Sequence, residues 1–236
     1  MRIPFLLPLL LVTALAAPAR SEEGRFAVSI AGLGAGFISY EGTEKAGRYT
    51  AAGAVAATGL ARALYPARIA TTATGRVEGN RYRPATYRAR TQKRRESTDV
   101  TFRYANGTPQ VSQTPPEKGR KSHHAAPADQ RGTLDPMSSA FAILRDRPAT
   151  LACNLDISYY DGRERSRIRL SGGKRDGGTL TCPGVYTRVS GFSAKDMAER
   201  VNWPFTVIYT ILPDGTHRVT SLTIPTTSGK VRMTRR

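Results

Sequence analysis

Cys153-Asn154-Leu155-Asp156-Ile157-Ser158-Tyr159-Tyr160-Asp161-Gly162-Arg163-Glu164-Arg165-Ser166-Arg167-Ile168-Arg169-Leu170 is the stretch from which this chain can be read. Before Asp161-Gly162, Leu155, Ile157 and Tyr159 alternate with other residues; after it, Ile168 and Leu170 alternate with arginines. A period of two is a strand with one face buried. Asp-Gly between two such runs is a hairpin turn. A two-residue turn sets Tyr160 opposite Arg163, Ser158 opposite Arg165 and Asp156 opposite Arg167. The other face then pairs Leu155 with Ile168 and Cys153 with Leu170. One face is apolar. The other is a ribbon of Arg163, Arg165, Arg167 and Arg169, spaced about 6.5–7 Å apart, with Asp156 as its only neutralising acid. The alternation agrees across both strands, as a hairpin with one buried face requires.

The same signals recur outward from this hairpin. Phe26, Val28 and Ile30 alternate, and Phe37 to Tyr40 follow a Gly-rich turn. Arg68 to Val77 is rich in Thr and β-branched residues. Val100, Phe102 and Tyr104 run into Asn106-Gly107, and Phe205 to Leu212 and Val219 to Ile224 flank Asp214-Gly215. Hairpin turns at this density imply an antiparallel sheet, not β-α-β units. Two helices interrupt it. Asp135 caps the first, with Pro136 at its first position and Met137, Ala140, Phe141 and Leu144 as its apolar stripe. Ser193 and Asp196 have capping-box spacing for the second. Residues 112–132, SQTPPEKGRKSHHAAPADQRG, lack any apolar period and are expected to form a mobile loop.

Residues 1–21 read as a secretory signal: Arg2, an apolar run from Ile3 to Ala17, then small residues. Cleavage is expected near residue 19 or 21. The run is too short for a membrane span, and no other segment approaches that length. The chain is therefore expected in the periplasm, with residues 22–236 as one β-rich domain. With Arg2 and Arg20 removed, the formal charge falls from +18 to +16. Export gives the two cysteines a meaning, and Cys153 and Cys182 are expected to form a disulfide, the alternative being two unpaired core thiols. In a flat meander they would stand two strands apart, about 9.6 Å, whereas bridged Cα atoms lie within about 7 Å. The sheet curls, the bridge sits in end loops, or the strand order is not sequential. Curling fits best. The expected fold is mainly β: a strongly curved antiparallel sheet or partly closed barrel with one or two short helices.

The order of these features resembles a known family. A strand and Gly-rich turn (Ile30 to Gly36) precede Gly79-Asn80-Arg81-Tyr82-Arg83-Pro84-Ala85-Thr86-Tyr87, one residue longer than a Gly-x-x-x-Pro-x-x-Tyr spacing. A basic strand follows, then Leu134-Asp135-Pro136-Met137-Ser138-Ser139-Ala140, then Asp161-Gly162-Arg163. The pattern resembles bacterial domain-of-unknown-function family 3108 over most of the exported chain. The resemblance implies a periplasmic, mostly β protein. It carries no catalytic residues over.

Chemistry is sparse apart from the arginines. Gly32-Leu33-Gly34-Ala35-Gly36 leads into a strand, whereas a dinucleotide loop must open a helix. His123-His124 lies in the polar loop far from His217, short of the three or four converging ligands of a metal site. No Gly-x-Ser-x-Gly elbow is present, and no cofactor, metal or catalytic group is expected. Arg81, Arg83, Arg88 and Arg90 form a second basic stretch, with Tyr82 and Tyr87 between them. Guanidinium forks in such numbers suit phosphate or carboxylate, and they equally suit a plain solvated face. Together with Arg163, Arg165, Arg167 and Arg169 they are the candidate anion-binding residues. The expected function is a non-enzymatic envelope protein that binds anionic lipid, lipopolysaccharide or acidic polymer, or holds an apolar ligand in its concavity. The alternative is a hydrolase or transferase acting on envelope polymer. Charge alone would also suit nucleic acid, but export argues against that partner.

Overall fold

The structure is a computed structural model and describes residues 20–64, 66–227 and 229–236. Apart from Arg20 and Ser21, the signal segment expected at 1–21 lies outside the described residues. Seven strands come first: β1 (Arg20–Ile30), β2 (Leu33–Lys45), β3 (Arg48–Ala57), β4 (Ala67–Glu78), β5 (Arg81–Lys93), β6 (Glu96–Ala105) and β7 (Thr108–Thr114). Seven more follow: β8 (Leu155–Tyr160), β9 (Arg165–Leu170), β10 (Lys174–Asp176), β11 (Thr179–Ser190), β12 (Asn202–Ile211), β13 (His217–Thr226) and β14 (Gly229–Arg235). The helices are α1 (Gly59–Leu64), α2 (Pro136–Leu144) and α3 (Ala194–Glu199).

All named strands join one antiparallel sheet in the order β7-β6-β5-β4-β3-β2-β1-β14-β13-β12-β11-β9-β8, with β10 paired to β11. β1 and β14, from opposite ends of the chain, meet in its middle, Phe26 opposite Arg235. The sheet curls until its ends approach: the rings of Phe102 on β6 and Tyr160 on β8 lie 6.0 Å apart. It does not close on itself. The chain from 115 to 134 runs through the gap. Ala125 N donates to Arg163 O (2.8 Å), Gly132 N to Gly107 O (2.8 Å) and Leu134 N to Ser158 O (2.8 Å), while Tyr160 N donates to Leu134 O (2.9 Å). The expected loop at 112–132 is thus shorter by three residues, since 112–114 complete β7, and its path is hydrogen-bonded to both sheet edges.

α2 packs into one end of the concavity. Asp135 caps it, accepting from Ser138 N at 2.8 Å, and Phe141 stacks among Tyr40, Tyr49 and Tyr82. Gly53 of β3 has no side chain because the helix lies on it: a Cβ there would sit 2.7 Å from Met137 Sδ. A Cβ on Gly42 of β2 would likewise strike the Phe141 ring. α3 opens with the capping box expected from Ser193 and Asp196. The third helix, α1, has no sequence signal of its own and buries none of its residues.

Two expectations about the central hairpin need correction. The turn has four residues, Asp161 to Glu164. The Asp161 carboxylate accepts from Arg163 N (2.8 Å) and Glu164 N (2.7 Å), so the side chain organises the turn. Register therefore slips by two: Tyr160 faces Arg165, Ser158 faces Arg167 and Asp156 faces Arg169, with Leu155 opposite Leu170. An even slip leaves every side chain on its expected face. The second correction concerns how the disulfide closes. Cys153 and Cys182 are bridged with Cα atoms 5.4 Å apart. β9 ends at Leu170, opposite both Leu155 and Gly184. Each cysteine lies two residues beyond that row. The bridge therefore passes the end of the intervening strand, and curling alone is not what shortens the distance.

Candidate functional site

Arg165, Arg167 and Arg169 alternate along β9 with buried Ser166, Ile168 and Leu170 and project on the outer face. Arg163 stands in the turn, not in the strand. The ribbon is offset in two places. Arg167 grips Asp156 through both carboxylate oxygens, Nε to Oδ1 at 2.7 Å, which holds the carboxyl below its usual range. Arg163 Nε lies 2.6 Å from Glu117 Oε1, a partner supplied by the 115–134 crossing and invisible in the strand pattern. Arg165 makes no ion pair with a carboxylate among the described residues, and its Nε is buried without an acceptor; Arg169 stands opposite Asp156 and acts on that carboxyl through its charge, helping to lower its pKa.

The second basic stretch is also exterior: Arg81, Arg83, Arg88 and Arg90 are all exposed on β5. Tyr82 and Tyr87 are buried on the other side, so rings and guanidinium groups do not share a surface as the sequence suggested. Five residues apart, the two tyrosines would fall on opposite faces of a regular strand. A bulge resolves this: Gly75 pairs with Pro84 and Thr74 with Thr86, leaving Ala85 unpaired. Arg90 is bidentate to Asp99, at 2.8 and 3.1 Å. β5 and β9 are separated by β6, β7, the crossing segment and β8, so the two basic stretches are not adjacent.

Three features were not foreseen. The first is a notch in the sheet. β14 pairs with β1 only over Phe26–Ile30 and with β13 only over Ser221–Thr226, so among the described residues no strand lies between 20–25 and 217–220. An open cleft of about 1080 Å³ lies here, lined by Glu22, Arg25, Asp146, Arg218, Arg235 and Arg236 among others. Arg218 is bidentate to Asp146, with contacts of 2.6 to 3.1 Å. Arg235 Nη2 donates to the Tyr40 hydroxyl (2.9 Å), which donates to Leu144 O (2.8 Å). Burial raises the Tyr40 phenol to about 12 despite that arginine. The second is Arg147, fully buried, with one bond from Nη1 to Leu151 O (3.2 Å) and with Nε and Nη2 lacking acceptors. Burial lowers its pKa.

The third is a polar chain inside the core. Ser138 Oγ donates to Asp135 Oδ2 (2.6 Å), and the Tyr49 hydroxyl lies 2.6 Å from Ser138 Oγ. Burial pushes the Asp135 carboxyl up to about 6, against the opposing effect of the Ser138 hydrogen bonds. Asp135 and Ser138 are 0 % exposed and Tyr49 1 %, so no substrate reaches them: the trio anchors α2 to β3. Among the described residues no group of three metal-ligating side chains converges, and no helix is long and apolar enough to cross a membrane.

A further surface lies on the concave side itself. α2 covers one end of it. Beyond Met137, Ile38, Val55 and Ile69 form a cross-strand row on the same face, paired through β2, β3 and β4. Val28, Val231 and Met233 continue it across β1 and β14. All of these are partly exposed, Val55 by 42 %.

The architecture is that of a barrel-like protein made from one curled, unclosed sheet around a capped helix. The chain belongs to the family described as "Protein of unknown function (DUF3108)", whose pattern it matches over residues 25–194. Among curated proteins none matches it. Among solved structures it is similar to a β-barrel-like protein of domain of unknown function DUF1849 from Brucella abortus. That likeness has a TM-score of 0.50 at 11 % identity and covers 91 % of this chain and 94 % of that one. It supports the fold alone.

Proposed function

We propose that this chain is an exported, non-enzymatic protein of the bacterial envelope that holds an apolar ligand, such as a lipid chain, on the uncovered part of its concave face. The observation that carries the reading is the row Ile38, Val55 and Ile69 with Val28 and Met233. These are aliphatic side chains on the inner face of a curled sheet, next to a fully packed core yet left in contact with water. A concave apolar surface with few polar groups suits an alkyl chain better than a reactive substrate. The outer arginines, Arg165 and Arg169 on β9 and Arg81, Arg83 and Arg88 on β5, would serve anionic headgroups, lipopolysaccharide or acidic polymer through guanidinium forks. The hydrolase or transferase reading gains nothing from the Asp135–Ser138–Tyr49 chain, whose members are sealed beneath α2. Native mass spectrometry of the protein isolated from its own envelope tests the proposal. A co-purified lipid-sized adduct, released by organic solvent, is expected. A bare chain mass in preparations that bind no added lipid would overturn it.

A further inference from the structure

One end of the barrel carries leucines where a water-facing surface would carry polar residues. Leu33, at the start of β2, is 69 % exposed, and Leu60 and Leu64 of α1 are 68 % and 76 % exposed. The register brings them together. β2 extends three residues past the Gly36–Ala57 pair that ends its ladder with β3. α1 packs beside that extension, with Thr58 N donating to Ala35 O at 3.0 Å. Leu60 and Leu64, four apart, share one face of the helix. A six-residue helix that buries nothing and points two leucines outward gains little from its own fold.

The same end is cationic. Arg62 of α1 is exposed, two residues from each leucine and so on the opposite face of the helix. The β5–β6 hairpin tip, Arg94-Arg95, follows Lys93, which is paired with Ala67 just after α1. Glu96 is the acid beside it. The tip is also locally costly. Arg94 has φ +56°, a left-handed conformation that the Asn106-Gly107 tip assigns to Asn and Gly, at φ +50° and +79°. Ala31 and Ala46 take the same conformation at two other hairpin tips (φ +49° each), so at this tip the fold places a charge where it elsewhere places a small residue.

We infer that this lip, Leu33, Leu60 and Leu64 beside the Arg94-Arg95 tip, docks on the surface of an anionic phospholipid bilayer. The leucines enter the headgroup–acyl boundary and the arginines meet lipid phosphates. Charge complementarity selects this occupant: exposed leucines beside a cationic hairpin tip fit an apolar layer coated with anions. The surface is distinct from the β9 ribbon, and it docks whether or not the inner face holds a ligand.

Sedimentation with vesicles tests it, comparing phosphatidylcholine alone with mixed phosphatidylcholine and phosphatidylglycerol. The wild-type chain is expected to bind the mixed vesicles, to bind phosphatidylcholine poorly and to release at high salt. Leu60→Ser with Leu64→Ser should cut partitioning more than about tenfold. Arg94→Gly with Arg95→Ser should cut it roughly tenfold while leaving the melting midpoint equal or raised, because Gly suits the left-handed φ. Leu60→Trp should blue-shift its emission on adding mixed vesicles only. The inference is overturned if the wild-type chain ignores mixed vesicles, if these variants bind as wild type does, or if binding instead vanishes with Arg165→Gln, Arg167→Gln and Arg169→Gln combined. Retention of the ligand adduct in the lip variants would separate failure of docking from failure of ligand binding.

Discussion

Two parts of one concave face differ in what covers them. Under α2, the sheet is cut to fit: Gly42 and Gly53 leave room for Phe141 and Met137, and Tyr40, Tyr49 and Tyr82 close around the Phe141 ring. A few residues along the same strands, Ile38, Val55 and Ile69 present aliphatic surface that no described element covers completely. The strands and the face are the same, so neither secondary structure nor sheet curvature explains the difference. Coverage does. The packed part supplies stability, and the open part is free for something else.

The contrast can be broken by substitution. Phe141→Ala should cost about 3–5 kcal/mol, as large core truncations do, whereas Val55→Ser should cost about 1 kcal/mol or less because Val55 remains 42 % exposed. Equal losses by chemical denaturation would mean that the open strip is ordinary core. Removing the staple beyond the end of β9, with Cys153→Ala and Cys182→Ala, should cost about 3–4 kcal/mol for a loop of this length. Reduction of the wild-type chain should reproduce that loss.

The cap that holds α2 over the packed part sharpens the comparison through pH. The Asp135 carboxyl rises from its ordinary value near 4 to about 6 in the folded chain. Between these values the folded state binds more protons than the unfolded state. Its contribution is therefore fully present below about pH 4 and is lost as pH rises through about 6. Asp135→Asn, which keeps a capping oxygen, should flatten this part of the stability–pH curve; Val55→Ser should leave its shape unchanged. The smallest effect belongs to the outer face. Arg167→Gln breaks an exposed pair with Asp156 and should leave the melting midpoint within error.

Much of this architecture was legible in the residues. The period-two runs, the Asn106-Gly107 turn and the Asp135 and Ser193 caps are local signals, and local chemistry produces them. β3 was not legible, because its Ala and Gly residues lack β-propensity and the need for Gly53 comes from a helix more than eighty residues away. The register of the 155–170 hairpin was missed by two residues because the Asp161 side chain, not the Asp-Gly dipeptide, builds the turn. The outward placement of the arginines on β9 followed from alternation, whereas on β5 the bulge at Ala85 sets the faces; the partners of neither set followed from the residues. Glu117 arrives from a segment with no period, and the notch depends on β14 being shorter than its neighbours. Exposed Leu60 and Leu64 carry no sequence mark that separates them from core leucines.

The central claim is that the uncovered strip is a ligand seat, and titration with a fluorescent long-chain fatty acid tests it most directly. Saturable binding to the delipidated wild-type chain is expected, with loss of that binding in Val55→Asp while the near-ultraviolet dichroism of the tyrosine-lined core around Phe141 is preserved. Undiminished binding in that folded variant, or no saturable binding by the wild-type chain, would contradict it.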